Sequence, residues 1–188
     1  RRLASGDVAG AIRLWDLREQ NPISPVLLSG HQGTIASLLI TPDNRWLASS
    51  SVDGSLRLWP LPDARANPHP VVIHRFNGPV NTLAVSTDNQ WLAAGGSDAK
   101  VYLWQLASSQ PLANPVILTS HEKQVSALAF SSDGRWLVSG SDDATARLWD
   151  LSNLETQFIL AGHGRHLTSV AVSPDNHWVS TSSADGTV

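Results

Sequence analysis

Apolar and polar positions along this chain change places in short runs, and no stretch keeps the 3.6-residue spacing of an amphipathic helix. The clearest unit runs from Trp46 to Trp59: Trp46-Leu47-Ala48-Ser49-Ser50-Ser51, then Val52-Asp53-Gly54, then Ser55-Leu56-Arg57-Leu58-Trp59. Two β-prone segments flank a small polar turn, a pattern that predicts a hairpin. Trp91 to Trp104 and Trp136 to Trp149 repeat its length and order, and Trp178 opens a further copy.

The repetition extends beyond the hairpin. Trp15, Trp59, Trp104 and Trp149 are spaced 44, 45 and 45 apart, and Trp46, Trp91, Trp136 and Trp178 are spaced 45, 45 and 42 apart. Residues 31–59 align on residues 121–149 without a gap, with 12 identities in 29 positions. Each period holds four short strands. The first carries Ile35, Leu38 and Ile40, then Leu83 and Val85, Leu128 and Phe130, and Val170 and Val172 in successive copies. A turn follows at Pro42-Asp43-Asn44, Thr87-Asp88-Asn89, Ser132-Asp133-Gly134 and Pro174-Asp175-Asn176, where these residue types favour tight or positive-φ backbone. Strands two and three are the Trp-to-Trp hairpin. A polar connector (residues 17–25, 61–70, 106–115 and 151–157) leads to a fourth strand at residues 26–28, 71–73, 116–118 and 158–160. Four short antiparallel strands per period of about 44 predict an all-β propeller, because one such sheet cannot bury both its apolar faces alone.

Gly30-His31 with Ser49, Asp53 and Leu58-Trp59, and Ser120-His121 with Ser139, Asp143 and Leu148-Trp149-Asp150, resemble the WD-40 repeat family over essentially the whole chain. The near-identical copies and Asn-Pro-Val connectors look like a bacterial-type multi-repeat protein. The resemblance implies four-stranded antiparallel blades, with three complete repeat units and two partial ones that do not close a ring. The units fall at about 1–29 (partial), 30–72, 73–119, 120–161 and 162–188 (partial), a single propeller section. It also implies a hydrogen-bond relay in which Trp on the third strand donates to Ser or Thr on the second, the hydroxyl meets His in the loop between blades, and His meets Asp in the turn. The full sets are His31/Ser49/Asp53/Trp59 and His121/Ser139/Asp143/Trp149. His163/Thr181/Asp185 forms a third, without its Trp. The first unit keeps Ser5 and Trp15 but has Ala9 in the Asp position. The third keeps Asp98 and Trp104 but has Ala94 for Ser and Phe76 for His, so that blade is expected to rely on apolar packing.

Composition narrows the function classes. Hydrophobic residues make up 41% and charged residues 15%, with net charge −3, which fits a folded chain and disfavours nucleic acid as a partner. No apolar run approaches the roughly 20 residues of a membrane helix. There is no cysteine, which removes disulfides and thiolate metal sites. There is also no methionine, and both ends fall inside repeat units, so a section of a larger protein is expected, with the remaining blades of the same propeller as neighbours. The location is taken to be cytoplasmic.

Ser, His and Asp are the parts of a nucleophilic triad. A triad repeated in every blade is architecture, and no catalytic residue is assigned. His163, His166 and His177 lack a carboxylate or Cys to complete a metal site, and neither metal nor cofactor is expected. Arg13, Arg57 and Arg147 sit two residues before each Trp, as anion hooks or, more simply, packed along the blade with the head on a neighbouring carboxylate or carbonyl. Trp46, Trp91, Trp136 and Trp178 are read as packing between blades. Gly95-Gly96 lacks the Lys-Ser/Thr of a phosphate loop.

The resemblance places the loop between blades and the turn between strands two and three on one rim. There lie Gln32, Thr34, Val52, Ser97, Glu122, Gln124, Asp142, Arg165, His166 and Ala184, which differ from copy to copy. They are either partner contacts or merely solvated loops. Loops on a rigid scaffold carry binding, and mixed charge suits a polypeptide, so a non-catalytic scaffold for a protein or peptide is expected. The alternative is a regulatory module of a signalling enzyme whose kinase, protease or nucleotide-binding domain lies outside this chain.

Overall fold

The computed structural model describes residues 2–17, 25–61, 69–106, 114–154 and 157–188. Most of each connector at 17–25, 61–70 and 106–115 lies outside them, whereas only residues 155 and 156 of the connector at 151–157 do. Among the described residues every regular element is a strand, and every sheet is antiparallel.

Residues 1–80 form one compact unit and residues 81–188 another. The first holds a three-stranded sheet, β1 (Arg2–Gly6), β2 (Ile12–Asp16) and β3 (Val26–Leu28). Beside it lies a four-stranded sheet, β4 (Ile35–Ile40), β5 (Trp46–Ser51), β6 (Ser55–Pro60) and β7 (Val71–Arg75). The second unit begins within β8 (Val80–Val85), which joins β9 (Trp91–Gly96), β10 (Lys100–Gln105) and β11 (Val116–Thr119). Next come β12 (Val125–Phe130), β13 (Trp136–Ser141), β14 (Ala146–Asp150) and β15 (Gln157–Leu160), then the pair β16 (Leu167–Val172) and β17 (Val179–Ser183). The three complete blades and two partial ones match the periodicity.

The first strand of a blade explains an irregularity in the apolar pattern. Ile35 and Leu38 are three apart, whereas strict alternation requires two. A bulge falls between Ile35 and Ser37, and the same shift recurs between Val125 and Ala127 and between Leu167 and Ser169. The extra residue restores the apolar face after the break.

Each unit has its own core between facing sheets. In the first, Ile12, Leu14 and Leu28 meet Leu47, Trp59 and Leu61, with Ile35, Leu38 and Ile40 at the margin. In the second, Ala93, Val101, Leu103 and Leu118 meet Val125, Leu137 and Trp149, and a further cluster joins Val138 and Ala146 to Leu167 and Val170. Burying one large apolar side chain contributes about 1.5–3 kcal/mol. Close approach is achieved with glycine. A Cβ on Gly6 would lie 2.5 Å from Ile35, one on Gly95 2.6 Å from Val125, and one on Gly140 2.8 Å from Val170.

The turn after the first strand has one construction throughout. Asn44, Asn89, Gly134 and Asn176 take positive φ, at 57°, 56°, 70° and 61°. A hydroxyl just before the turn donates to the turn Asp and accepts the N–H of the next strand's Trp, as Thr41 does with Asp43 at 2.6 Å and Trp46 at 3.0 Å. Ser86, Ser131 and Ser173 repeat this. The Trp beginning the second strand does not have a uniform role. Trp91 packs on a core, whereas Trp136 lies under Arg135 with 4.9 Å to its ring centre, and Trp178 is 75% exposed.

Candidate functional site

The second strand, the hairpin turn and the loop before the first strand meet at one end of the second, fourth and last blades. In the second blade Trp59 Nε1 donates to Ser49 Oγ at 2.8 Å, and Ser49 Oγ lies 2.7 Å from His31 Nε2. His31 Nδ1 lies 3.1 Å from Asp53 Oδ2. A carboxylate only accepts, so the ring proton sits on Nδ1, and Nε2 accepts from the serine. The fourth blade repeats the chain, with Trp149 to Ser139 at 2.9 Å, Ser139 to His121 at 2.8 Å and His121 to Asp143 at 2.8 Å. In the last, His163 Nε2 meets Thr181 at 2.8 Å, but Nδ1 meets Thr187 Oγ1 at 2.8 Å, and Asp185 stands back at 3.4 Å.

Two further members of this network were not singled out in the sequence, although both recur in register. The residue two after the turn Asp donates its hydroxyl to that Asp at 2.6 Å, from Ser55, Thr145 and Thr187. The last serine of the second strand donates to the loop carbonyl two residues after the His at 3.0 Å, pairing Ser51 with Gly33, Ser141 with Lys123 and Ser183 with Arg165. Each Asp also caps a loop N–H, from Gln32 at 2.8 Å, Glu122 at 3.1 Å and Gly164 at 2.7 Å.

The remaining two blades use other braces. Ser5 is exposed and Trp15 half-buried, so they do not rebuild the buried pair. With Ala9 offering no carboxylate, Asp7 takes over the turn, accepting from the N–H groups of Ala9 and Ala11 at 3.0 Å each and from Arg13 at 2.9 Å. In the third blade Asp98 accepts from Tyr102 Oη at 2.6 Å, and the Tyr102 ring stacks on Trp104 with centroids 6.1 Å apart. That blade therefore adds a polar brace to the apolar packing expected of it, in which Ala93, Val101, Leu103 and Leu118 are buried. Tyr102 stands where the two blades with a complete relay have arginine. Arg13 meets Asp7, Arg57 meets Ser55 at 3.2 Å, and Arg147 meets the Ser120 carbonyl at 3.1 Å, so these heads stay on their own blades.

Burial holds His31 and His121 below the usual imidazole range, outweighing the bonds to Asp53 and Asp143 that act the other way. Burial pushes Asp53 and Asp143 up, but the hydroxyl, backbone and imidazole donors around them prevail. Asp143 falls to about 2, and Asp53 lies well below the carboxylate range.

The variable rim positions sit directly on this network. In the first unit Val8 is 79% and Val52 45% exposed, and Thr34 Oγ1 donates to the Val8 carbonyl at 3.3 Å. Gln32 is exposed and Thr34 half-buried. Val8, absent from the sequence-derived set, holds the same turn position as Val52. In the second unit Ser97, Glu122, Gln124, Arg165 and His166 are exposed, while Asp142 and Ala184 are half-buried. Gln124 Nε2 donates to Asp142 Oδ2 at 2.7 Å, and Asn81 Nδ2 to Gln124 Oε1 at 3.2 Å. Asp142, Arg165 and His166 come together in an open recess of about 500 Å³, along with Lys123 and Asp143.

The family model for the WD domain, G-beta repeat, matches residues 24–60, 70–105, 114–150 and 154–188. The chain belongs to the WD40 repeat family. Among WD40 relatives, the target of rapamycin complex subunit LST8 of Saccharomyces cerevisiae is 40% identical over 48 residues, 26% of this chain and 16% of that protein. WD repeat-containing protein 55 of Bos taurus is 41% identical over 54 residues, 29% of this chain and 14% of that protein. WD repeat-containing protein 36 of Homo sapiens is 53% identical over 34 residues, 18% of this chain and 4% of that protein. A crystal structure of RRP9 WD40 repeats aligns with TM-score 0.67 and 26% identity, covering 76% of this chain and 43% of that one. Each match thus spans well under two thirds of the relative's own length. The named relatives are eukaryotic and give no support to a bacterial-type array. Among the described residues of these WD40 blades, no three His, Cys, Asp or Glu side chains gather as a metal site.

Proposed function

We propose that this WD40 section is a non-catalytic platform that binds a protein or peptide through its loop rim. WD40 repeats typically mediate protein–protein interaction, and LST8 is by its name a subunit of a complex. The observation that carries the reading is the division of labour within each loop. Backbone groups and the His, Ser and Asp side chains are consumed by internal bonds, while Gln32, Val52, Ser97, Glu122, Arg165 and His166 beside them are exposed and differ from blade to blade. A surface fixed from below needs little reorganisation on binding, so less affinity is lost to ordering.

The serine–histidine–aspartate geometry does not oppose this reading. Ser49 and Ser139 are fully buried, and each Oγ already accepts a Trp N–H and faces an imidazole. A nucleophile needs access to its substrate, and these have none. The test is affinity capture with the full protein, comparing wild type with a rim variant carrying Val52→Asp, Asp142→Arg and Arg165→Asp. Partners captured by the wild type should be lost by the variant and retained by Ile117→Lys, on an outer strand. Equal capture by all three proteins would remove the rim as the binding surface.

A further inference from the structure

We infer that the recess of the second unit receives a carboxylate side chain from an acidic peptide segment, an inference that rests on the rim reading above. Lys123 and Arg165 hold equivalent places in consecutive loops, each two residues after the relay histidine. Their carbonyls are anchored by Ser141 and Ser183, both at 3.0 Å. Gly33 occupies this place in the first unit, on the same anchor from Ser51 at 3.0 Å. The backbone support is therefore general, whereas the pair of cations is particular to this recess.

The hydrogen bonds around the recess define the ligand's chemistry. Both oxygens of Asp143 are engaged, one by Thr145 and the other by His121 and the Glu122 N–H. Asp142 accepts from Gln124. The Lys123 ammonium, the Arg165 guanidinium and the His166 ring have no acceptor among the described residues. Three donors are idle, while both Asp143 oxygens and Asp142 Oδ2 are occupied, so the complement is an acceptor-rich group. The two carboxylates in the recess, and Glu122 beside Lys123 in the chain, limit how much added negative charge the site tolerates. A single carboxylate held between two cations fits, and a phosphate dianion or a nucleic-acid backbone does not.

Fluorescence anisotropy with the full protein tests this. The probe is an amide-capped, fluorescein-labelled peptide with three spaced glutamates, and its controls carry glutamine or phosphoserine at those places. The glutamate peptide should bind at least tenfold more tightly than the glutamine peptide. Lys123→Glu with Arg165→Glu should abolish that preference, and the milder Lys123→Gln should reduce it. Melting temperatures confirm that each variant is folded. Failure of the glutamate peptide to bind, an undiminished preference in the double variant, or tighter binding of phosphoserine would each overturn the proposal. Equal binding of the glutamate and glutamine peptides, lost in the double variant, would overturn it while leaving the rim as a peptide-binding surface.

Discussion

At the scale of single residues, the serine of the relay has the most demanding position. Ser49 Oγ is the only hydroxyl between Trp59 and His31 in their hydrogen-bond chain, and all three are buried. Ser49→Ala would leave the indole N–H and the imidazole Nε2 without partners. Each buried group so stranded costs roughly 1–3 kcal/mol, so a loss of about 2–6 kcal/mol is expected. Ala94 holds the corresponding place in the third blade, where Tyr102 and Asp98 already form a different brace. Ala94→Ser should change stability by no more than about 1 kcal/mol, since nothing existing is broken. Urea unfolding of both variants makes the comparison, and equal shifts in the midpoint would show that the relay contributes nothing special. The relay residues were legible in the sequence through the resemblance to WD-40 repeats, which is carried by His, Ser, Asp and Trp recurring in register. Tyr102 was not, because its bond to Asp98 compensates locally for a missing set and has no second copy with which to align.

At the scale of the strands, the period and the hairpins were readable because side-chain alternation and turn chemistry are local properties. The bulge was visible only as an unexplained three-residue step from Ile35 to Leu38. Distances between sheets left a fainter trace, a small residue at the same place in each second strand: Gly6, Ser50, Gly95, Gly140 and Ser182. Gly140 shows what that place requires. A methyl group there would meet Val170 Cγ1 at 2.8 Å and Leu167 Cβ at 3.4 Å, so β16 would have to move away from β13. Overpacking of this kind costs about 1–3 kcal/mol. Gly164→Ala is the matched control, since the added carbon meets only an Asp185 oxygen at 3.9 Å. Denaturant unfolding should show Gly140→Ala destabilised and Gly164→Ala near wild type. The opposite order would mean that β16 does not pack on β13 as described.

At the scale of the molecule, each of the two compact units carries one complete relay, so both respond to acid in the same sense. Two groups of side chains are involved. His31 and His121 have folded pKa values below the ordinary 6.5, so the unfolded chain takes up protons first as pH falls, and stability declines below about that value. Asp53, Asp143 and Asp185 have folded values below the ordinary 3.8. Their contribution is present above that pH and is lost as pH falls through it, toward about 2 for Asp143. In both ranges the unfolded state binds more protons, so the two effects add instead of cancelling. The melting temperature, followed at constant ionic strength, should be level above about pH 7, fall below pH 6.5 and fall more steeply below pH 4. His121→Gln removes one imidazole and should flatten the first decline while leaving the second in place. A melting temperature that rose on acidification from pH 7 to pH 5 would mean that the histidines gain protons on folding, and the relay would then be an ion pair instead of a chain of neutral donors ending at a carboxylate.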